Sequence, residues 1–226
     1  FLRAGTRPPA GSVRTEDFVN AFARAKPAVK GDVELSIEGG PVPSPRGPSY
    51  RYVRLQLSTS ALDAGPLETS VRVEFDPRSV ARFRLIGHDR LEAGEGDTVR
   101  GIRLPPGSVR AALYEIQLEP TPAGGPLVTL KVRVRSPEAS RSDEKKRTFM
   151  TWQLSSRWEK TSAPFRAAVL ASRFAEVLKA SPWARDVALA DLSKEAQALS
   201  HELPDDEALG ELAELISLAA GLGDSK

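Results

Sequence analysis

Two hydrophobic periods divide this chain, and the change from one to the other limits its fold more than any single motif does. Up to about Trp158, apolar residues alternate with polar ones in short runs broken by Pro, Gly and Asp. Beyond that point they recur every three to four residues. Val33, Leu35 and Ile37 alternate with acids and Ser, and Val71, Val73 and Phe75 do the same. Tyr50, Tyr52, Val53, Leu55 and Leu57 read as a strand whose alternation slips near Tyr52, as a bulge would cause. Phe83 to Ile86, Leu113 to Leu118, Leu127 to Val134 and Thr148 to Leu154 complete the series. Before the first strand, Thr15 is placed to cap a helix over residues 15–25, with Glu16 and Asp17 in its first turn and Pro27 beyond it.

After Trp158, Pro164 sits where a helix begins, and Phe165, Val169, Leu170, Phe174, Val177 and Leu178 mark one face. Ser181-Pro182 breaks that helix. A second is expected from Arg185 to His201 and a third from Asp205 to Leu222, opened by Asp205-Asp206-Glu207 as a cap. The reading is therefore an α+β fold: an antiparallel β-sandwich with a short N-terminal helix and a C-terminal helical hairpin or three-helix bundle. Two regions are expected, a β-sandwich domain over 1–158 that includes the N-terminal helix, and a helical subdomain over 159–226 packed on it.

Charge narrows the class of partner. The chain of 226 residues carries 32 Lys+Arg against 30 Asp+Glu, and the two signs are interspersed. A nucleic-acid surface concentrates its positive charge on one face or segment, so a nucleic-acid partner is not expected. With no cysteine, the chain has neither disulfides nor thiolate metal sites. No apolar run approaches the ~20 residues of a bilayer span, and no signal peptide is recognised. The first residue is Phe1, which reads as a processed product or a fragment, leaving room for a lipid anchor upstream.

No residue pattern carries recognisable chemistry. His88 follows a strand end and reads as a turn-exposed histidine, while His201 suits a helix C-terminus. Gly94-Glu95-Gly96 and Gly124-Gly125 lack the Lys-Ser/Thr of a phosphate loop and read as hairpin turns. Asp205-Asp206-Glu207 lacks the alternating spacing of a calcium loop. The mixed-sign run Arg141 to Arg147 reads as a solvated hairpin loop. Trp152 is expected in the core of a strand. Trp158 and Trp183 fall at element junctions, where an indole either seals sheet against helix or anchors a partner, and these two are the candidate interaction residues. No catalytic residue, metal site or cofactor is expected.

Phe1-Leu2-Arg3-Ala4-Gly5 and Val13-Arg14-Thr15-Glu16-Asp17-Phe18-Val19-Asn20 resemble the segment that precedes the von Willebrand factor A domain in bacterial YfbK-type proteins. Val73-Glu74-Phe75-Asp76-Pro77, Arg84-Leu85-Ile86-Gly87-His88 and Ser108 to Ile116 are similar to blocks after it. The A domain itself, with its metal-ion-dependent adhesion site, is missing between Leu57 and Val71. Ser58-Thr59-Ser60 lacks the leading Asp of that site. The resemblance implies that the flanks close directly into one sandwich. It also implies a non-catalytic protein-interaction or scaffolding module of the cell envelope, working with itself or with a protein partner. A ligand- or glycan-binding adhesion domain using Trp158 or Trp183, and an enzyme of unrecognised type, are the alternatives.

Overall fold

The computed structural model describes residues 1–24, 33–43, 46–60, 67–87, 97–122, 124–135 and 142–222, with residues 97–102 as backbone only. The protein is α+β, built from two antiparallel sheets of four strands each and a helical layer. In chain order the strands are β1 (Val33–Gly40), β2 (Tyr50–Thr59), β3 (Leu67–Phe75), β4 (Val80–Leu85), β5 (Asp97–Leu104), β6 (Val109–Leu118), β7 (Pro126–Arg135) and β8 (Asp143–Met150). One sheet runs β1-β2-β6-β4 and the other β5-β3-β7-β8. The helices are α1 (Thr15–Ala21), α2 (Ala163–Leu178), α3 (Leu189–Glu202) and α4 (Glu207–Gly221).

The strands before and after residues 61–66 share one interior. Val53, Leu55 and Leu57 of β2 face Val71 and Val73 of β3, Tyr114 and Ile116 of β6, and Val128, Leu130 and Val132 of β7 in a single buried cluster. Each such side chain taken from water contributes about 1.5–3 kcal/mol, so this cluster is the main reason the strands pair. Lys131 and Glu74 cross-link the outer face of the second sheet.

A second core lies on the far side of the first sheet. There α1, α2, α3 and α4 bury Val19, Phe22, Phe165, Phe174, Leu192, Leu199, Leu209 and Ile216 against Tyr52 of β2 and Ala111 and Leu113 of β6. β2 is therefore buried on both faces over most of its length. That removes the polar-out alternation near Tyr52, and the pairing of β2 with both neighbours runs in continuous register with no bulge there. The helical core also takes Leu2 and Val13 of the N-terminal segment. Its apolar face packs on α2, where the Phe18 and Phe174 rings meet edge to face at 6.2 Å.

Local differences from the sequence reading have physical causes. Arg14, not Thr15, occupies the cap position of α1, and the Thr15 hydroxyl is buried with no hydrogen-bond partner among the described residues. Asn20 instead fixes the helix to the sheet, receiving the N–H of Ala111 and donating to its carbonyl, as a neighbouring strand would. The run expected as a loop at Arg141 to Arg147 holds most of β8, an edge strand whose outward side chains are charged. Gly124-Gly125 does not close a hairpin but links β6 in one sheet to β7 in the other. Residues 25–32, His88 and Gly94-Glu95-Gly96 lie outside the described residues.

The ends of α2 and α4 form as read. Ser162 caps α2 by accepting from the N–H of Phe165, with Pro164 in the first turn, and Asp206 accepts from the N–H of Leu209 to cap α4. Glu38 on β1 holds the α2 cap in place through the Ser162 hydroxyl and N–H, both at 2.6 Å.

Two edges of the sandwich are tied together. Lys145 and Arg147 of β8 donate to the carbonyls of Val33 and Leu35 on the open side of β1, at 2.8 and 3.1 Å. The carbonyl of Gly39, further along that side, accepts from the N–H of Ser155. These bonds occupy acceptors that an added strand would use.

Candidate functional site

Charged side chains and exposed aromatic surface come together where the first sheet meets the helices. On β6, Glu115 points away from the sandwich interior, because its neighbours Tyr114 and Ile116 point into it. Arg84 is its register partner on β4, so the two side chains share one face. Arg84 donates to Glu115 Oε2 from Nε at 2.8 Å. It also spans to α2, giving Nη1 and Nη2 to the two oxygens of Glu176 at 3.1 and 3.0 Å. Arg46, from the β1–β2 connection, takes the other oxygen of Glu115 at 2.5 Å and reaches Asp186 and the carbonyl of Trp183.

Trp183 closes this group from above. It follows Pro182 in a short 3-10 turn between α2 and α3, and its ring stands 4.8 Å from the Arg84 guanidinium. The result is a cleft of about 430 Å³ whose walls include Arg46, Arg82, Arg84, Glu115, Phe83 and Trp183. Trp183 is 53% exposed and Phe83 47%, which is unusual for large apolar side chains. Phe83 is held from behind by Phe75, with ring centroids 4.6 Å apart.

The electrostatics are those of a rigid, paired network. Burial opposes the charge on Arg84, but the hydrogen bonds and field of Glu176 and the field of Glu115 outweigh it, holding its pKa above the ordinary guanidinium value. Arg46 is raised on the same balance, with burial opposed chiefly by Glu115. Beneath them the Tyr52 phenol is buried, and desolvation with the nearby Glu115 charge pushes its pKa up. Arg82 also lines the cleft, is exposed, and makes no ion pair among the described residues. Both oxygens of Glu115 are held by guanidinium groups, so it is a fixed negative post rather than an available base.

The two tryptophans singled out by sequence part company. Trp183 is on the cleft. Trp158 is 7% exposed, packs 6.4 Å from Phe165, and donates its indole N–H to Glu195 at 3.1 Å. It seals the helical core and offers no surface for a partner. Trp152 corrects the reading in the opposite sense: β8 ends at Met150, and Trp152 lies in a 3-10 turn, 74% exposed. Ser58 is buried on the helix side of β2, and Thr59 bonds to Pro105 and Ser108, so the Ser58-Thr59-Ser60 stretch is engaged in closing the strand end. His201 stands exposed in the last turn of α3. Among the described residues no cluster of three or more His, Asp or Glu could hold a metal ion.

Sequence reasoning missed the Arg46–Glu115–Arg84–Glu176 group, whose members come from four separate segments. The available signal was the charged residue set between apolar ones on each strand, Arg84 before Leu85 and Glu115 between Tyr114 and Ile116.

No family model and no curated protein match the chain. Among solved structures, the GAE domain of GGA2p from Saccharomyces cerevisiae is similar over 54% of this chain and 92% of its own, at 14% identity and a TM-score of 0.31. The FixG-related protein from Vibrio parahaemolyticus is similar over 54% and 97%, at 10% identity and a TM-score of 0.28. The ArnB paralog VWA2 from Sulfolobus acidocaldarius is similar over 70% of this chain and 42% of its own, at 8% identity and a TM-score of 0.33. At TM-scores of this size none of them bears on function.

Proposed function

We propose that this chain is a non-catalytic protein-interaction module and that the cleft beneath Trp183 is its binding surface. The observation that carries the reading is a guanidinium group, Arg84, held rigidly under the half-exposed ring of Trp183, with a second half-exposed aromatic side chain, Phe83, next to it on the same edge strand. Interfaces draw their energy from a few Trp, Tyr and Arg anchors on a pre-organised surface. Here the backing is supplied before any partner arrives, by Glu115 and Glu176 beneath Arg84 and by Phe75 behind Phe83.

The resemblance to the regions flanking a von Willebrand factor A domain extends the proposal to a scaffold in the cell envelope, meeting either a second copy or a protein that retains an A domain. No helix among the described residues is long and apolar enough to cross a membrane.

The test is a comparative capture from an envelope extract of the producing cell. The wild-type chain, the double variant W183A/F83S and a control variant K146E on the β8 surface are immobilised in parallel. A protein retained by the wild type and K146E but lost with W183A/F83S supports the reading. Identical retention by all three overturns it.

A further inference from the structure

Resting on that reading of the cleft, we infer that its partner binds as an extended, acidic peptide segment that adds to the open edge of β4. Three observations meet at this edge.

The first is the backbone. β4 ends the sheet order β1-β2-β6-β4, and among the described residues no strand pairs with its outer side. Ile86 donates to the carbonyl of Leu113 on β6. In an antiparallel pair the hydrogen-bonding direction alternates, so Phe83 and Leu85 turn their N–H and C=O groups to the open side. The opposite edge of the same sheet is blocked by Lys145 and Arg147, which leaves β4 as the edge that can accept a strand.

The second is the alternation of side chains along β4. Arg82 and Arg84 stand on the helix-facing side with Trp183, while Phe83 and Leu85 stand on the sandwich side. A strand laid along this edge meets cationic groups with every second residue and an aromatic surface with the others.

The third is charge. Glu115 and Glu176 are saturated by Arg84 and Arg46, and Arg82 makes no ion pair among the described residues. A carboxylate delivered opposite Arg82 finds a donor whose charge no other described residue neutralises. The same charge argues against a second copy as the occupant. Pairing β4 with its own twin about a two-fold axis would bring two copies of Arg82, which makes no ion pair among the described residues, to one edge, which like-charge repulsion opposes.

The probe is a ten-residue fluorescent peptide alternating glutamate with phenylalanine and leucine, titrated by anisotropy against the full chain. Three comparison peptides carry lysine for glutamate, the same residues in block order, and N-methylated amides at alternate positions. The inference expects saturable binding of the alternating acidic peptide, at least about tenfold weaker binding of each comparison peptide, and at least about tenfold loss with R82E. Arg82 is exposed and unpaired among the described residues, so that variant keeps its fold, and its urea midpoint verifies this. Equal binding of the N-methylated peptide, or unchanged affinity with R82E, overturns strand addition. No binding of any peptide, with capture still lost in W183A/F83S, overturns strand addition while the cleft remains the binding surface. No peptide binding together with identical capture by all variants overturns both. A dimer that R82E dissociates, with no peptide binding, assigns the edge to a second copy and overturns the peptide.

Discussion

The guanidinium of Arg84 lies 4.8 Å from the ring of Trp183 and donates at the same time to Glu115 and Glu176. One side chain thus joins β4, β6, α2 and the turn before α3. The contact positions Trp183 more than it stabilises the fold, because the ring is half exposed and a cation–π pair at such a site is worth about 0.5–1 kcal/mol. W183A is expected to lower unfolding stability by no more than about 1 kcal/mol in urea titration, while removing cleft-dependent capture. A large loss of stability would instead make Trp183 a structural residue.

Deleting a carboxylate beneath Arg84 is a different matter. Glu176 is nearly buried and takes two of the guanidinium hydrogen bonds. E176A is expected to destabilise by about 3 kcal/mol, since it leaves a partly buried cation underpaired. The double variant R84M/E176L replaces both ions by apolar groups of similar size and is expected to lose less than E176A alone. Urea midpoints for the pair decide it: equal or greater loss in the double variant would mean that the ions contribute net stability.

The Arg166–Glu202 pair joins α2 to α3 through two hydrogen bonds, at 2.9 and 2.6 Å. The Arg166 guanidinium holds the Glu202 carboxyl below its ordinary value of 4.5. A depressed carboxylate contributes stability that is fully present above that ordinary value and is lost as pH falls through its lower folded value. Wild type is expected to lose stability more steeply than E202Q as pH drops from about 5 to about 3. Parallel slopes for the two proteins would remove Glu202 from the acid response.

Lys145 and Arg147 act on assembly more than on folding. K145A/R147A uncovers the carbonyls of Val33 and Leu35 at a cost of about 1 kcal/mol, and it opens a second sheet edge. Light scattering is expected to show concentration-dependent association that wild type lacks. A monodisperse monomer at all concentrations would show that the edge is protected by other means.

Much of the fold could be read from periodicity, and the exceptions share a cause. β1 and β3 alternate cleanly because one face of each meets the core. β2 looked irregular near Tyr52 because helices cover its second face, a tertiary fact absent from local sequence. β8 looked like a loop because edge strands carry charge, and Asp143 to Thr148 has no buried residue until Phe149. β5 went unread. Gly87 was legible only as a strand end. Its φ of +89° and the backbone N–H of Glu16, 2.7 Å from where a Cβ would sit, show that it lets α1 approach β4. Of the cleft, the sequence marks only Trp183 as an interaction residue. Arg46, Arg84, Glu115 and Glu176 meet across long sequence separations, and single-chain patterns do not report such meetings.

A sheet wet on neither side cannot be stripped of one neighbour and kept. Cutting the chain after Met150 would retain the eight described strands, yet Tyr52 and Leu113 would lose the cover of α2 with Arg54, Gln56 and Glu115 stranded beside them. The strands and the helices are therefore expected to melt together. A search for a minimal binding fragment has to keep the last helix, however far it stands from Trp183.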